Sequence, residues 1–168
     1  MRGVPEMPDS SSSPLSHVGP EGAPRMVDVS TKAVTVRQAV AAAEVFFPPE
    51  AWEVLAAGDW QTAKGAVLPT AVVAGTQAVK RTADLIPFCH PLPLEGIRFT
   101  HDFPEEGLLR LRCEVRTTAR TGVEMEAYTG ASVAALTVID MTKALSPALE
   151  VRAVRLLEKT GGKADYHR

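Results

Sequence analysis

Between Ala131 and Met141 every residue except Asp140 is apolar, small or a short hydroxyl residue, so a helix through this stretch carries apolar surface on nearly all its faces. Ala127, Ala131, Ala134 and Val138 fall on one side, while Val133, Leu136 and Ile139 reach round to others, more apolar surface than one sheet can cover. The spacing predicts a helix from about Val123 to Leu145 whose remaining face needs a further cover, and a neighbouring subunit would supply it. An isolated carboxylate in such a setting loses much of its hydration unless something pairs with it. Lys143, three residues after Asp140 and on the same side of the helix, is the partner that the spacing supplies. The pair is either a structural ion pair or a place for proton chemistry.

At 168 residues the chain suits one domain that buries roughly two thirds of its unfolded surface. Cys89 and Cys113 form neither a C-x-x-C pair nor a ladder of ligands, which fits free thiols in a reducing compartment. No apolar run reaches the roughly 18 residues of a membrane span, and the N-terminus lacks a basic-then-apolar leader. The expectation is a cytoplasmic protein with no membrane partner. A net charge of −2 lacks the basic excess of a nucleic-acid binder, so any polyanionic ligand must be met by local lysines.

Residues 1–25 contain Ser10 to Ser13, five prolines and little apolar clustering. Such a composition cannot offset the entropy of ordering, and a disordered arm is expected there. A single catalytic domain is expected over residues 26–168, ending in a mobile glycine-rich tail. Met26 to Ser30 alternates like a short strand, and a second extended stretch follows over residues 33–47. Pro49 and Glu50 open a short helix that runs to Ala57 and stops at Gly58. A longer helix is predicted over residues 69–85, with Leu68, Val72, Val79, Ala83 and Ile86 near one face, Gly75 as a sign of close packing and Pro87 forcing its end. Residues 96–103 and 108–118 read as a hairpin turning at Pro104 to Gly107. In its second arm Leu109, Leu111, Cys113 and Val115 alternate with Arg110, Arg112, Glu114 and Arg116, so one face is core and the other charged. Cys113 is thereby a small core residue rather than a nucleophile. A last strand is expected over residues 151–157. This mixed order implies an α+β sandwich with helices on one face of a mainly antiparallel sheet.

Four groups of residues could carry chemistry, and each has a plain structural explanation beside it. Thr121 and Glu124 have the spacing of a helix capping box, which would account for Glu124 but leaves Glu126 unexplained. His90 stands in a loop restrained by Pro87, Pro91 and Pro93, which suits either a packed histidine or one held for contact with a ligand. Zinc is a poor reading, because Cys89 and His90 are adjacent and His17, His101 and His167 build no ligand spacing. Lys64 before Gly65, and Lys163 after Gly161 and Gly162, put amines where backbone can approach an anion closely, although solvated lysines are common in such loops. The second of these is no nucleotide P-loop, lacking the spaced glycine before it and the helix after it. Lys80 and Arg81 read as a solvated helix face.

Taken together and in this order, Met26-Val27-Asp28-Val29-Ser30, Lys64-Gly65, the run from Lys80 through Pro87 into Cys89-His90-Pro91-Leu92, Thr121 to Ala127, Asp140 to Lys143 and Gly161-Gly162-Lys163 resemble the cyclic pyranopterin monophosphate synthase family of molybdenum-cofactor biosynthesis. The resemblance covers about residues 26–165. It implies a ferredoxin-like α+β subunit, a homohexamer built as a trimer of dimers, and a site near a dimer boundary. By position the family's catalytic aspartate matches Asp140, and the lysines acting with it match Lys64 and Lys143. Its substrate-contacting residues match Phe88, Cys89, His90, Met125 and Glu126, with Glu124 nearby, and its tail lysine matches Lys163, implied to meet phosphate. The chain departs from the family pattern at Ala66, where an acidic residue is common, and at Ala164, where a serine is.

The substrate so implied is 3′,8-cyclo-7,8-dihydro-GTP, rearranged to cyclic pyranopterin monophosphate with release of pyrophosphate. Opening a purine-derived ring and rebuilding it as a pterin needs protons moved at several atoms, for which Asp140, Lys143 and Lys64 are suited. Closing the cyclic phosphate sets a sugar hydroxyl on the α-phosphorus, and cations such as Lys163 and Lys64 must meet the developing charge. No cofactor and no resident metal are required, although magnesium can accompany the triphosphate. Two other readings remain open on the residues alone: another lyase or phosphohydrolase acting on a GTP-derived nucleotide, and a non-catalytic nucleotide-binding oligomer.

Overall fold

The structure, a computed structural model, describes residues 23–168; the expected disordered arm lies outside this range apart from residues 23–25. In chain order the elements are β1 (Thr35–Phe46), α1 (Pro49–Ala57), β2 (Gln61–Thr62), β3 (Gly65–Ala66), α2 (Val67–Lys80), α3 (Thr82–Leu85), β4 (Leu94–Glu105), β5 (Leu108–Ala119), α4 (Glu124–Thr142), β6 (Glu150–Thr160) and β7 (Tyr166–His167). Five strands form one sheet in the order β4-β5-β1-β6-β7, every neighbouring pair antiparallel. This is the α+β sandwich expected from the sequence, consistent with a ferredoxin-like arrangement.

The alternation read in β5 sets the two faces of the sheet. Leu109, Leu111, Cys113 and Val115 lie in the core, opposite Ala39, Ala41, Ala43 and Val45 on β1. On the far face Glu44 is shared by Arg110 (3.2 Å) and Arg155 (2.6 Å). Asp102 there holds Arg112 at 2.7 Å. α2 and α4 pack against each other at Gly75 and Gly130. A Cβ on Gly75 would stand 2.9 Å from the Gly130 carbonyl oxygen, and one on Gly130 would stand 2.7 Å from Cys113 Sγ. Close packing at Gly75 is therefore borne out.

Several local expectations need correction. Met26 to Val29 forms no strand, and Ser30 and Thr31 turn; Asp28 Oδ1 takes the Ser30 amide at 2.8 Å, a local bond that competes with strand pairing. The second helix breaks at Arg81 instead of running to Leu85, because the Thr82 hydroxyl donates back to the Val79 carbonyl (3.0 Å) and the Arg81 amide turns onto Ala78 (3.0 Å). Its buried stripe is Val67, Ala71, Gly75, Ala78 and Val79. Of the residues expected on that face only Val79 is buried, since close approach of α4 selects the small residues. The capping box is absent as well. α4 starts from Val123 with no side-chain cap, and Glu124 pairs instead with Lys159 at 3.3 Å. The last strand is longer than expected and the tail returns as β7, His167 opposite Glu158.

Candidate active site

Two groups of the candidate side chains gather about α4, one at each end. At its N-terminal end a cavity of about 580 Å³ opens between the helix start, the loop after α3, the end of β6 and the segment before β1. Phe88, Cys89 and His90 line it from the loop, Glu124, Met125 and Glu126 from the helix, and Lys163 from the tail. Gly161 positions that tail. Its φ is +79°, and a Cβ would overlap the Val36 carbonyl oxygen, so only glycine lets the loop press against β1 and turn Lys163 toward the cavity.

Lys32, Arg37, Arg120 and Lys159 also line the cavity, and sequence reasoning missed all four. They come from separate segments, and only the fold makes them neighbours. With Lys163 they set five cations against Glu124 and Glu126. The buried Arg37 Nε has no hydrogen-bond partner among the described residues. Arg120 Nη1 donates to the carbonyls of Ser30 and Lys32 (2.7 Å to the latter), clasping the segment that carries Val27, Val29 and Lys32 to the cavity wall.

Glu126 is 4% exposed, and among the described residues no Lys, Arg or His forms an ion pair with it. Burial, with a smaller contribution from the charge of Glu124, pushes its carboxyl up to about 7. It therefore carries a proton through much of the range below neutrality and can donate a hydrogen bond. Burial, and then Glu126, also pushes the Cys89 thiol up, while Cys113 in the core is pushed up to about 12 by burial. Neither cysteine is an activated nucleophile.

At the other end of α4, Lys64 Nζ lies 2.8 Å from Asp140 Oδ2 and donates to the Asp140 carbonyl oxygen at 2.7 Å. Lys143 Nζ lies 2.7 Å from Asp140 Oδ1. Lys64 thus caps one of the orphan carbonyls of the helix end, where a carboxylate alone would oppose the helix dipole. Hydrogen bonds from Lys143 and then Lys64 hold the Asp140 carboxyl down at about 2, and it is ionised at every physiological pH.

Within the single subunit Asp140 is open, on the helix face expected to need a further cover. Its side chain is 56% exposed, because residue 140 lies across the helix from the buried stripe of Ala127, Ala131, Ala134 and Val138. Leu136, one turn earlier on the same face, is 59% exposed. The excess apolar surface of this helix is thus real in the single subunit.

The ten residues expected to form one site are divided in the single subunit. Phe88, Cys89, His90, Glu124, Met125, Glu126 and Lys163 share the cavity, and Lys64, Asp140 and Lys143 form a separate cluster. Asp140 stands fourteen helical steps beyond Glu126, about 21 Å along the axis. Among the described residues no group of three or more His, Cys, Asp or Glu side chains gathers as a metal site, and no helix is long and apolar enough to cross a membrane.

Residues 26–162 match the model of the MoaC family. The chain is 54% identical over 156 residues to a cyclic pyranopterin monophosphate synthase of Xanthomonas oryzae pv. oryzae, covering 93% of this chain and 94% of that one. Proteins of the same name from Nostoc sp. and Herpetosiphon aurantiacus are 50% and 51% identical, with coverage of 93% and 88% of this chain and 93% and 90% of theirs. The family expected from the sequence is borne out.

Proposed function

The chain belongs to the MoaC family, and from that premise we propose that it is a lyase of molybdenum-cofactor biosynthesis, converting 3′,8-cyclo-7,8-dihydro-GTP to cyclic pyranopterin monophosphate and pyrophosphate in the cytoplasm. The observation that carries this reading is the cationic cavity of about 580 Å³ with a protonatable carboxyl in its wall. A nucleotide triphosphate needs several cations and a shaped recess for its base, and five basic side chains beside Glu126 fit both needs.

In this reading Lys163, Arg37 and Lys32 hold the phosphates, and Phe88, Cys89, His90 and Met125 bound the heterocycle. Neutral Glu126 donates to a ring acceptor. Asp140, held ionised, orients Lys64 and Lys143, and these two lysines exchange protons with the substrate and meet the charge that grows as the sugar hydroxyl attacks the α-phosphorus. A magnesium ion would come with the triphosphate. Of the two cavity acids, Glu124 is engaged by Lys159 and Glu126 is buried, so the cavity has no carboxylate cage of its own.

The two groups act together only if a second copy brings its Asp140 cluster to the cavity. A two-fold axis running α4 against α4 in opposite directions would set the C-terminal end of one helix beside the N-terminal end of the other. It would also cover the Leu136 face. Three such dimers would give the homohexamer. The test is product analysis: the purified chain should convert the cyclised substrate to the cyclic monophosphate with one pyrophosphate per turnover and leave GTP untouched. Turnover of GTP alone, or no product from the cyclised compound, would overturn the assignment.

A further inference from the structure

Lys64 has a long flexible stem, is half exposed and stands at the tip of a hairpin of only two residue pairs, Gln61 with Ala66 and Thr62 with Gly65. Hairpins so short are not stable by themselves. Their order must come from the base. Immediately before β2, Asp59 and Trp60 have φ of +48° and +57°, the left-handed region that disfavours any side chain, and a bulky one most. Such a backbone persists only where surroundings over-determine it.

The surroundings here are aromatic. Trp60 is 9% exposed. Its ring stacks on Phe103 at 5.0 Å and 20°. It meets Phe47 and Trp52 edge-on at 5.4 and 5.7 Å. Its amide donates to the Leu55 carbonyl, and its own carbonyl accepts from the Val67 amide, both at 2.9 Å. One residue therefore ties the end of α1, the start of α2 and the tip of the β4–β5 hairpin, and the Lys64 loop springs from that knot.

We propose that Trp60 is a positioning residue, locking the β2–β3 hairpin through the Phe47–Trp52–Phe103 cluster so that Lys64 stays on Asp140. The proposal rests on the reading that Lys64 takes part in turnover, but the contact it explains is visible without turnover. A leucine or alanine at position 60 removes the planar wedge and frees the hairpin base, and Lys64 then leaves Asp140 part of the time while Lys143 remains. The same chain's cavity at the other end of α4, which neither Trp60 nor Lys64 lines, keeps its walls.

Two measurements on Trp60→Ala, Trp60→Leu and Trp60→Phe test this, made on the full chain well below each variant's melting temperature. In a carbon-detected NMR titration, the Asp140 carboxyl should titrate higher in Trp60→Ala and Trp60→Leu, moving toward the value in Lys64→Ala, and stay near the parent value in Trp60→Phe. With the cyclised substrate, kcat should fall on the order of tenfold to a hundredfold with KM little changed. Adding Lys64→Ala to Trp60→Ala should cost no more than Lys64→Ala alone. A folded Trp60→Leu protein whose Asp140 titration matches the parent overturns the proposal, as does additivity with Lys64→Ala. If Lys64→Ala itself turns over normally, the catalytic reading of Lys64 fails, while the titration still decides the coupling.

Discussion

The two ends of α4 hold carboxylates of opposite temper. Glu126, near the start, is buried with no counter-ion among the described residues and is pushed up to about 7. Asp140, near the end, is exposed between two lysines and held at about 2. One helix thus carries an acid that is protonated below neutrality and an acid that is ionised throughout the physiological range. The difference comes from surroundings, since desolvation disfavours charge and adjacent ammonium groups favour it. In the proposed function Glu126 serves recognition and Asp140 the chemistry, and the two environments suit those different tasks.

The strongest way to break that division is through turnover. Asp140→Ala, Lys64→Ala and Lys143→Ala should each lower kcat by about 10² to 10⁴, with melting temperatures close to the parent because exposed ion pairs add little to stability. Near-normal rates in all three, measured by pyrophosphate release, would remove the cluster from the chemistry.

The next effect is on stability at the other end. Glu126 has a folded-state pKa raised to about 7 from the ordinary 4.5, so between those values the folded state binds the extra proton. Stability is then fully present below about pH 4.5 and is lost as pH rises through 7. A shift of this size is worth about 3 kcal/mol. Glu126→Gln, which cannot ionise, should abolish that slope, and its advantage over the parent in urea unfolding should grow from pH 5 to pH 8. Parallel pH profiles would show that the carboxyl is better compensated than its burial implies.

Much of this frame was legible in the chain, and the exceptions share a cause. β5 was read correctly because its alternation reports burial on one side of a strand, and α1 because Pro49 and Gly58 mark its ends. The same alternation misled at Val27 and Val29, whose inward side faces a cavity and not a sheet. Periodicity records that a face is covered, not by what. Asp140 shows the same limit: the apolar run around it reports that several faces of the helix need cover, and within the single subunit its outer face is open. Arg37, Arg120, Lys32 and Lys159 could not be found because their meeting is a property of long-range pairing, β1 against β6 above all. Trp60 carries no local signal for its left-handed backbone.

Subunit mixing sharpens the comparison into a statement about assembly. If the cavity of one chain meets the Asp140 cluster of another, Asp140→Ala mixed with His90→Ala under subunit exchange should regain about one quarter of parental activity. Half the dimers are then hybrids, and each holds one whole site and one doubly defective site. Lys64→Ala mixed with Asp140→Ala should regain nothing, because those two side chains touch within one chain. Recovery in the second mixture, or none in the first, would refute the head-to-tail pairing.

The smallest expected effect concerns the cavity wall before β1. Val27, Val29 and Lys32 reach the cavity on a segment with no regular structure, held by the Arg120 clasp on Ser30 and Lys32. Arg120→Ala should loosen that wall and raise KM a few-fold while leaving kcat and the Asp140 titration nearly unchanged, since Arg120 holds only the Ser30 and Lys32 carbonyls and none of Asp140, Lys64 or Lys143. A chain beginning at Arg25 keeps the whole clasped segment and should match the parent in both constants. The pair is informative together. A kinetic loss on trimming to Arg25 with none from Arg120→Ala would mean that residues 1–24 act on the site and the clasp does not. The reverse would assign the wall to Arg120 alone.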